Sequence, residues 1–236
     1  MATGPGLEID IAEKRHHGAA EALFAGFRLS VAPGETLAIV GPSGVGKSTL
    51  LRLIAGVDAD FSGSITLDGV PAAKAPAPGF VFQDARLLPW LTAEANLTEL
   101  GVAREEARAA LVRVGLEGHF GHYPHQLSGG MQRRVALARA LSVNPHFLLL
   151  DEPFVSLDRA LVAGMQRLVR ELVAETGATA LMVTHMSDDA VRLAHRAIVL
   201  GDRPATIKGE LQFDVPPAHR SPADIGRFVG RLAEIG

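Results

Sequence analysis

Gly41-Pro-Ser-Gly-Val-Gly-Lys-Ser-Thr49 fits the pattern Gly-x4-Gly-Lys-[Ser/Thr], with Lys47 and Ser48 in the last two places. The residue types answer one chemical demand. Glycines let successive backbone N–H groups turn inward around a phosphate, where side chains would clash. A helix beginning near Lys47 adds unpaired N–H groups and the positive end of its dipole. Lys47 brings a full charge to the outer phosphates, and the Ser48 hydroxyl is placed for Mg²⁺. The candidate phosphate cradle is therefore Gly41, Pro42, Ser43, Gly44, Val45, Gly46, Lys47, Ser48 and Thr49. Upstream, Thr36 to Val40 is a short apolar run of buried-strand type. Downstream, Leu50, Leu51, Leu53 and Ile54 make an apolar helical face that stops at Gly56. Strand, glycine-rich turn and helix in that order predict an α/β domain.

Working outward, His146 to Pro153 reads His-Phe-Leu-Leu-Leu-Asp-Glu-Pro, an apolar strand delivering two carboxylates at its C-terminal end. Ligands of open parallel sheets bind at that edge. Asp151 is the expected metal holder, and Glu152 the base or orienting group for an attacking water. Between these two segments, residues 127 to 134 read Leu-Ser-Gly-Gly-Met-Gln-Arg-Arg, ahead of a helical pattern from Gln132 to Leu141. A serine hydroxyl and two glycine N–H groups at a helix start make a second anion-binding surface like the first.

Ser128-Gly129-Gly130 in this position resembles the signature motif of ABC-type ATPases, and further elements follow in that family's order. Gln83, in Gly79-Phe-Val-Phe-Gln83, is similar to the glutamine loop. Ser156-Leu-Asp158 is similar to the D-loop, and His185, in Met182-Val-Thr-His185, to the switch histidine. The resemblance spans residues 7–215. It implies a P-loop NTPase fold of ABC type: an ATPase core with an antiparallel β subdomain and an inserted helical subdomain at about residues 86–126. It also implies ATP and Mg²⁺, with Ser48, Gln83 and Asp151 around the metal and Lys47, Gln83, Glu152 and His185 in catalysis. The expected assembly is a head-to-tail dimer, ATP lying between one copy's phosphate loop and the other's Ser128-Gly129-Gly130, with Asp158 along the seam.

Departures refine the resemblance. Met131 stands where glutamine is usual in the wider family. Leu-Ser-Gly-Gly-Met, with Asp84-Ala-Arg-Leu-Leu-Pro-Trp90, looks like the importer branch for nitrate, taurine and aliphatic sulfonates. That branch implies transmembrane permease subunits, indirectly a solute-binding protein, and a peripheral position on the cytoplasmic face of the inner membrane. The family's adenine-stacking position falls in Lys14-Arg-His-His-Gly18, which has no Tyr, Phe or Trp. His16 or His17 is left for that role, and His17 enters the candidate set. After His185, where an acidic residue is common, this chain has Met186, with Asp188 and Asp189 a little later.

Composition sets bounds. A chain of 236 residues suits one large α/β domain with a small attached subdomain. A net charge of −3 argues against a surface dominated by Lys and Arg, so no nucleic-acid partner is expected. With 0 cysteines, disulfides and thiolate metal sites are excluded. No basic segment followed by an apolar one opens the chain, and no apolar run approaches the ~18 residues of a membrane span. If the protein powers transport, other chains form the path.

The remaining segments follow from pattern. Residues 7–40 read as strands with a turn at Ala32-Pro-Gly34, and Asp68-Gly69 marks a hairpin. Residues 92–119 read as mainly helical, with Leu111, Val112 and Val114 as core contacts. Leu161 to Glu175 is an amphipathic helix, and Ala178 to Thr184 and Arg196 to Leu200 are later strands. Ser221-Pro222-x-Asp224 is a helix start opening a short helical tail at residues 216–236. His119, His122 and His125 recur every third residue, but Gly121 and Pro124 argue against one helix presenting all three to a metal. Trp90 reads either as part of a groove for a permease helix or as packing within the helical subdomain. A soluble ABC-type ATPase without a channel, an exporter or lipid transporter, and a P-loop kinase are the alternatives. The paired Asp151-Glu152 and the signature disfavour the kinase.

Overall fold

The computed structural model describes residues 3–155, 157 and 159–236. Two sheets organise them. The first is antiparallel, in the order β2-β1-β4-β5, from β1 (Leu7–Lys14), β2 (Phe24–Val31), β4 (Ser62–Leu67) and β5 (Val70–Pro71). The second has the order β10-β9-β3-β8-β7-β6. Its strands are β3 (Thr36–Val40), β6 (Gly79–Val81), β7 (Phe147–Asp151), β8 (Thr179–Thr184), β9 (Arg196–Gly201) and β10 (Thr206–Gln212). All its pairings are parallel except β9 with β10.

The central strands are apolar on both faces because both are covered. Leu37, Ile39, Leu149, Leu181, Val183 and Ile198 point to one core, shared with the antiparallel sheet and α1 (Lys47–Ile54). Their neighbours Ala38, Val40, Leu148, Leu150, Ala180 and Met182 point to the other, the period of two that a strand imposes. Helices fill that second side: α2 (Ala93–Thr98), α3 (Arg104–Arg113), α4 (Gly129–Ser142), α5 (Arg159–Thr176), α6 (Ser187–Leu193) and α7 (Pro222–Ile235).

Five details correct or sharpen the reading by pattern. Val112 is 41 % exposed whereas Leu111 and Val114 are buried. Leu111 and Val114 lie three residues apart, on one side, and Val112 is turned about 100° from Leu111. The 92–119 segment is two helices, separated at Gly101, whose φ is +82°. α4 begins at Gly129 rather than Gln132, with Ser128 Oγ accepting the Met131 N–H at 3.2 Å as its cap. α7 is a 14-residue helix, not a short one, and it is no appendage. Its Phe228 and Leu232 are buried in the main core, and Arg220 ties the tail to α6 by donating to the carbonyls of Val191 and Ala194. Trp90 is 69 % exposed, which rules out the packing role for it.

Candidate active site

Register assembles the site. Val40 of β3 pairs with Thr184 of β8, and Asp151 of β7 with Val183 of β8. Val81 of β6 pairs with Leu150 of β7. Parallel strands in this register release Gly41, Gln83, Glu152 and His185 at a single edge, their carboxyl ends.

The loop after β3 depends on two glycines. Gly44 has φ +81° and Gly46 φ +112°, values that a side chain tolerates poorly. At Gly46 a Cβ would also stand 2.9 Å from the Phe24 ring. The loop delivers Lys47 as the first residue of α1, 6 % exposed, its Nζ donating to the carbonyls of Gly41 at 2.7 Å and Pro42 at 3.0 Å. Burial holds the Lys47 ammonium below the usual lysine range, against the opposing pull of Glu152 and Asp151.

The carboxylates occupy different environments. Asp151 accepts the Ser48 hydroxyl at 2.9 Å; burial raises its pKa, and that hydrogen bond works against the rise. Glu152 sits in the left-handed region at φ +48°, uncommon for a residue with a side chain and typical of functional positions. One of its oxygens lies 3.8 Å from Lys47 Nζ, and the other lies 2.9 Å from His185 Nδ1. Glu152 thus bridges the phosphate-loop lysine and the histidine from the neighbouring strand.

A cleft of about 370 Å³ runs over these groups. Ser43, Gly44, Gly46, Lys47, Ser48 and Thr49 line it from the loop side. Gln83, Glu152 and His185 line it from the other strand ends. Gly41, Pro42, Val45 and Asp151 belong to its backing: Gly41 and Pro42 hold Lys47, Val45 is buried in the core, and Asp151 holds Ser48. His16, not His17, lines the cleft. Arg203 also lines it, with no signal in the motifs. Ser128, Gly129 and Gly130 do not line it; Ser128 and Gly129 stand exposed at the start of α4. Ser156 and Asp158 of the D-loop motif lie outside the described residues. His119 and His122 face each other with ring centroids 5.0 Å apart, but His125 stacks on Tyr123 instead.

A polyphosphate cradle at a helix start, opposite two carboxylates and a histidine on adjacent parallel strands, defines the class: a P-loop nucleoside triphosphatase. The sequence pattern of the ABC transporter family matches residues 24–155. An aliphatic sulfonates import ATP-binding protein of Cupriavidus necator is 47 % identical over 208 residues, covering 85 % of this chain and 68 % of its own. The corresponding protein of Xanthomonas axonopodis pv. citri is 42 % identical over 221 residues, covering 89 % and 87 %. Among solved structures, the dimeric ATP-binding cassette MJ0796 in a post-hydrolysis state bound to ADP and Pi superposes with a TM-score of 0.80. It is 31 % identical, over 89 % of this chain and 100 % of that one. The chain belongs to the ABC transporter family. It is an ATP-binding subunit of that family, and its reaction is ATP hydrolysis coupled to transport.

Proposed function

We propose that the chain energises import of an aliphatic sulfonate, or a related small oxyanion such as taurine or nitrate, through a membrane-embedded permease. The observation that carries the reading is the register that gathers Lys47, Ser48, Gln83, Glu152 and His185 on one cleft while leaving Ser128-Gly129-Gly130 outside it. Each chain then has a phosphate cradle lacking its opposite wall, and a second anion-binding helix start facing elsewhere. Two copies arranged head to tail supply each other's missing wall, ATP lying between them. Asp158 belongs to the seam of that dimer.

Within the cleft the residues divide the work. Lys47 and the loop N–H groups hold the outer phosphates. Glu152 accepts the proton of the attacking water, and its contact with His185 orients it. His185 faces the terminal phosphate, and Gln83 connects the cleft to the segment after β6. The paired oxygens of Ser48 and Asp151 fit magnesium, a hard cation that takes one or two protein oxygens and keeps phosphate and water as its other ligands. Ser48, Asp151 and Gln83 would hold it there, and its charge would offset that of the outer phosphates.

Among the described residues no helix is long and apolar enough to cross a membrane. Trp90 offers the permease an anchor. Its loop is stapled by the buried Asn96, which accepts the Leu88 N–H at 2.8 Å and donates to the carbonyls of Leu88, Leu91 and Thr92. A rigid loop presenting an exposed indole is the kind of contact that concentrates binding energy. We place the dimer on the cytoplasmic face of the inner membrane, with a solute-binding protein on the far side.

The test is reconstitution with a membrane permease of the aliphatic-sulfonate import type. ATP-driven uptake of a sulfonate should be present with wild type. Glu152→Gln should abolish it, with ATPase activity down by about 10²- to 10⁴-fold, the usual weight of a general base. Trp90→Ala should lose uptake while still binding ATP. Unchanged hydrolysis in Glu152→Gln would remove Glu152 from its role, and wild-type uptake by Trp90→Ala would remove the anchor.

A further inference from the structure

Arg203 lies in the turn between β9 and β10, outside every motif read from the sequence. β9 pairs in parallel with β3, Val199 opposite Val40, so the turn after β9 is set down beside the phosphate loop. There Arg203 Nη2 donates to the Gly44 carbonyl at 2.6 Å, and the side chain lines the same cleft as Lys47 and Glu152.

The lining can be divided by chemistry. Lys47, Ser48, Gln83, Glu152 and His185 suit the triphosphate and its attacking water. Outside the phosphate loop there remain His16, Leu23, Val155, Arg203 and Arg52, the last donating to the Ser48 carbonyl and the Thr49 hydroxyl. A base needs a flat surface, and apart from His185, which is engaged with Glu152, the lining offers one aromatic ring, His16. Guanidinium is planar, permanently charged and able to stack on π-systems. Its N–H bonds lie in that plane, so the bond to Gly44 fixes one edge and leaves stacking to the faces. Among the described residues no aromatic side chain is recorded over the Arg203 guanidinium, unlike those of Arg86, Arg108, Arg220 and Arg227.

We propose that Arg203 is a nucleotide-binding residue, its guanidinium pinned to the Gly44 carbonyl and forming the platform on which the purine of ATP stacks. The proposal rests on the ATP-binding assignment above and adds a residue from an element that no motif contains. It makes recognition of the base cationic, where an aromatic side chain would make it neutral.

Calorimetry on the full chain with two ligands, ATP and inorganic tripolyphosphate, separates the base from the phosphates. Arg203→Ala should weaken ATP by about three- to tenfold, the scale of a partly exposed cation–π contact, and leave tripolyphosphate unchanged. Arg203→Lys keeps the charge without the plane and should resemble Arg203→Ala. Retained tripolyphosphate affinity also shows that each variant is folded. Unchanged ATP affinity in Arg203→Ala would overturn the proposal. So would an equal loss for both ligands, or full recovery in Arg203→Lys, since either assigns Arg203 to the phosphates or to the loop. Failure of the wild-type protein to bind ATP would instead remove the underlying assignment.

Discussion

Glu152 stands between two positively chargeable groups, Lys47 at 3.8 Å and His185 at 2.9 Å, with its backbone in the left-handed region. Such a carboxylate is held in place by its neighbours more than by its own conformational preference. The motif residues around it were legible because their spacing encodes chemistry: a glycine loop before a lysine, two acids after an apolar strand. The choice between His16 and His17 was not. The β-bulge between Ile11 and Glu13 shifts the inside–outside alternation of β1, so Lys14 rather than Glu13 is buried. Beyond that bulge it is His16, not His17, that lines the cleft. Asp189 was noticed in the sequence for its place after His185 but given no environment. It is buried and accepts the Gln166 amide at 2.8 Å, its pKa pushed up to about 6 by burial, with Asp188 and Glu152 adding to the rise. The Gln166 hydrogen bond and His185 oppose it. The sign follows from linkage. Unfolded, the group ionises near its ordinary value of 3.8, so folding is penalised above about pH 6 and the penalty disappears as pH falls below the unfolded value. Asp189→Asn, which can still accept from Gln166, should therefore be more stable than wild type at pH 8, by about 1–3 kcal/mol. The advantage should shrink toward pH 5 and vanish near pH 3.5. Denaturant titrations across that range check this, and a pH-independent difference would contradict it.

At the scale of elements, β3, β7 and β8 were readable because their apolar runs are unbroken, and the helix after the phosphate loop because its leucines and isoleucine share a face. Helices α3 and α4 were readable in place but not in detail. Val112 shares its neighbours' hydrophobicity but not their face, and a run such as Leu-Val-x-Val does not say which two of three point inward. β10 and α6 were missed for separate reasons. β10 reads Thr-Ile-Lys-Gly-Glu-Leu-Gln and buries only Leu211, as an edge strand does. α6 has 7 residues, too short for a helical period to declare itself. The capping box of α7 was visible in Ser221 and Asp224, and each partner accepts from the other's backbone N–H, at 3.0 and 3.2 Å. Its burial was not visible. Phe228 is 0 % exposed and packs on Phe213, 4.9 Å between ring centroids, with the Arg220 guanidinium over Phe213. Phe228→Ala should cost about 3–5 kcal/mol, like other large-to-small changes in a core. A midpoint in urea close to wild type would show that residues 216–236 are a tail after all.

For the whole molecule, the order of motifs along the chain identified the fold, while strand order and register created the site. Nothing local in the turn after β9 says that it will lie beside the loop after β3; that follows from β3 sitting between β8 and β9. Arg203 was invisible for that reason. The same non-local arrangement separates Ser128-Gly129-Gly130 from the cleft, and in the head-to-tail dimer we propose a second copy brings it back. Two solved structures of the similar cassette MJ0796 are dimeric, one of them bound to ADP and Pi. The most direct measurement is the solution mass of Glu152→Gln with and without saturating Mg-ATP, beside the same protein carrying Ser128→Arg. The account predicts a doubling of mass on adding ATP to the first and none in the second. A protein that stays monomeric with ATP, or a dimer indifferent to Ser128, would contradict it.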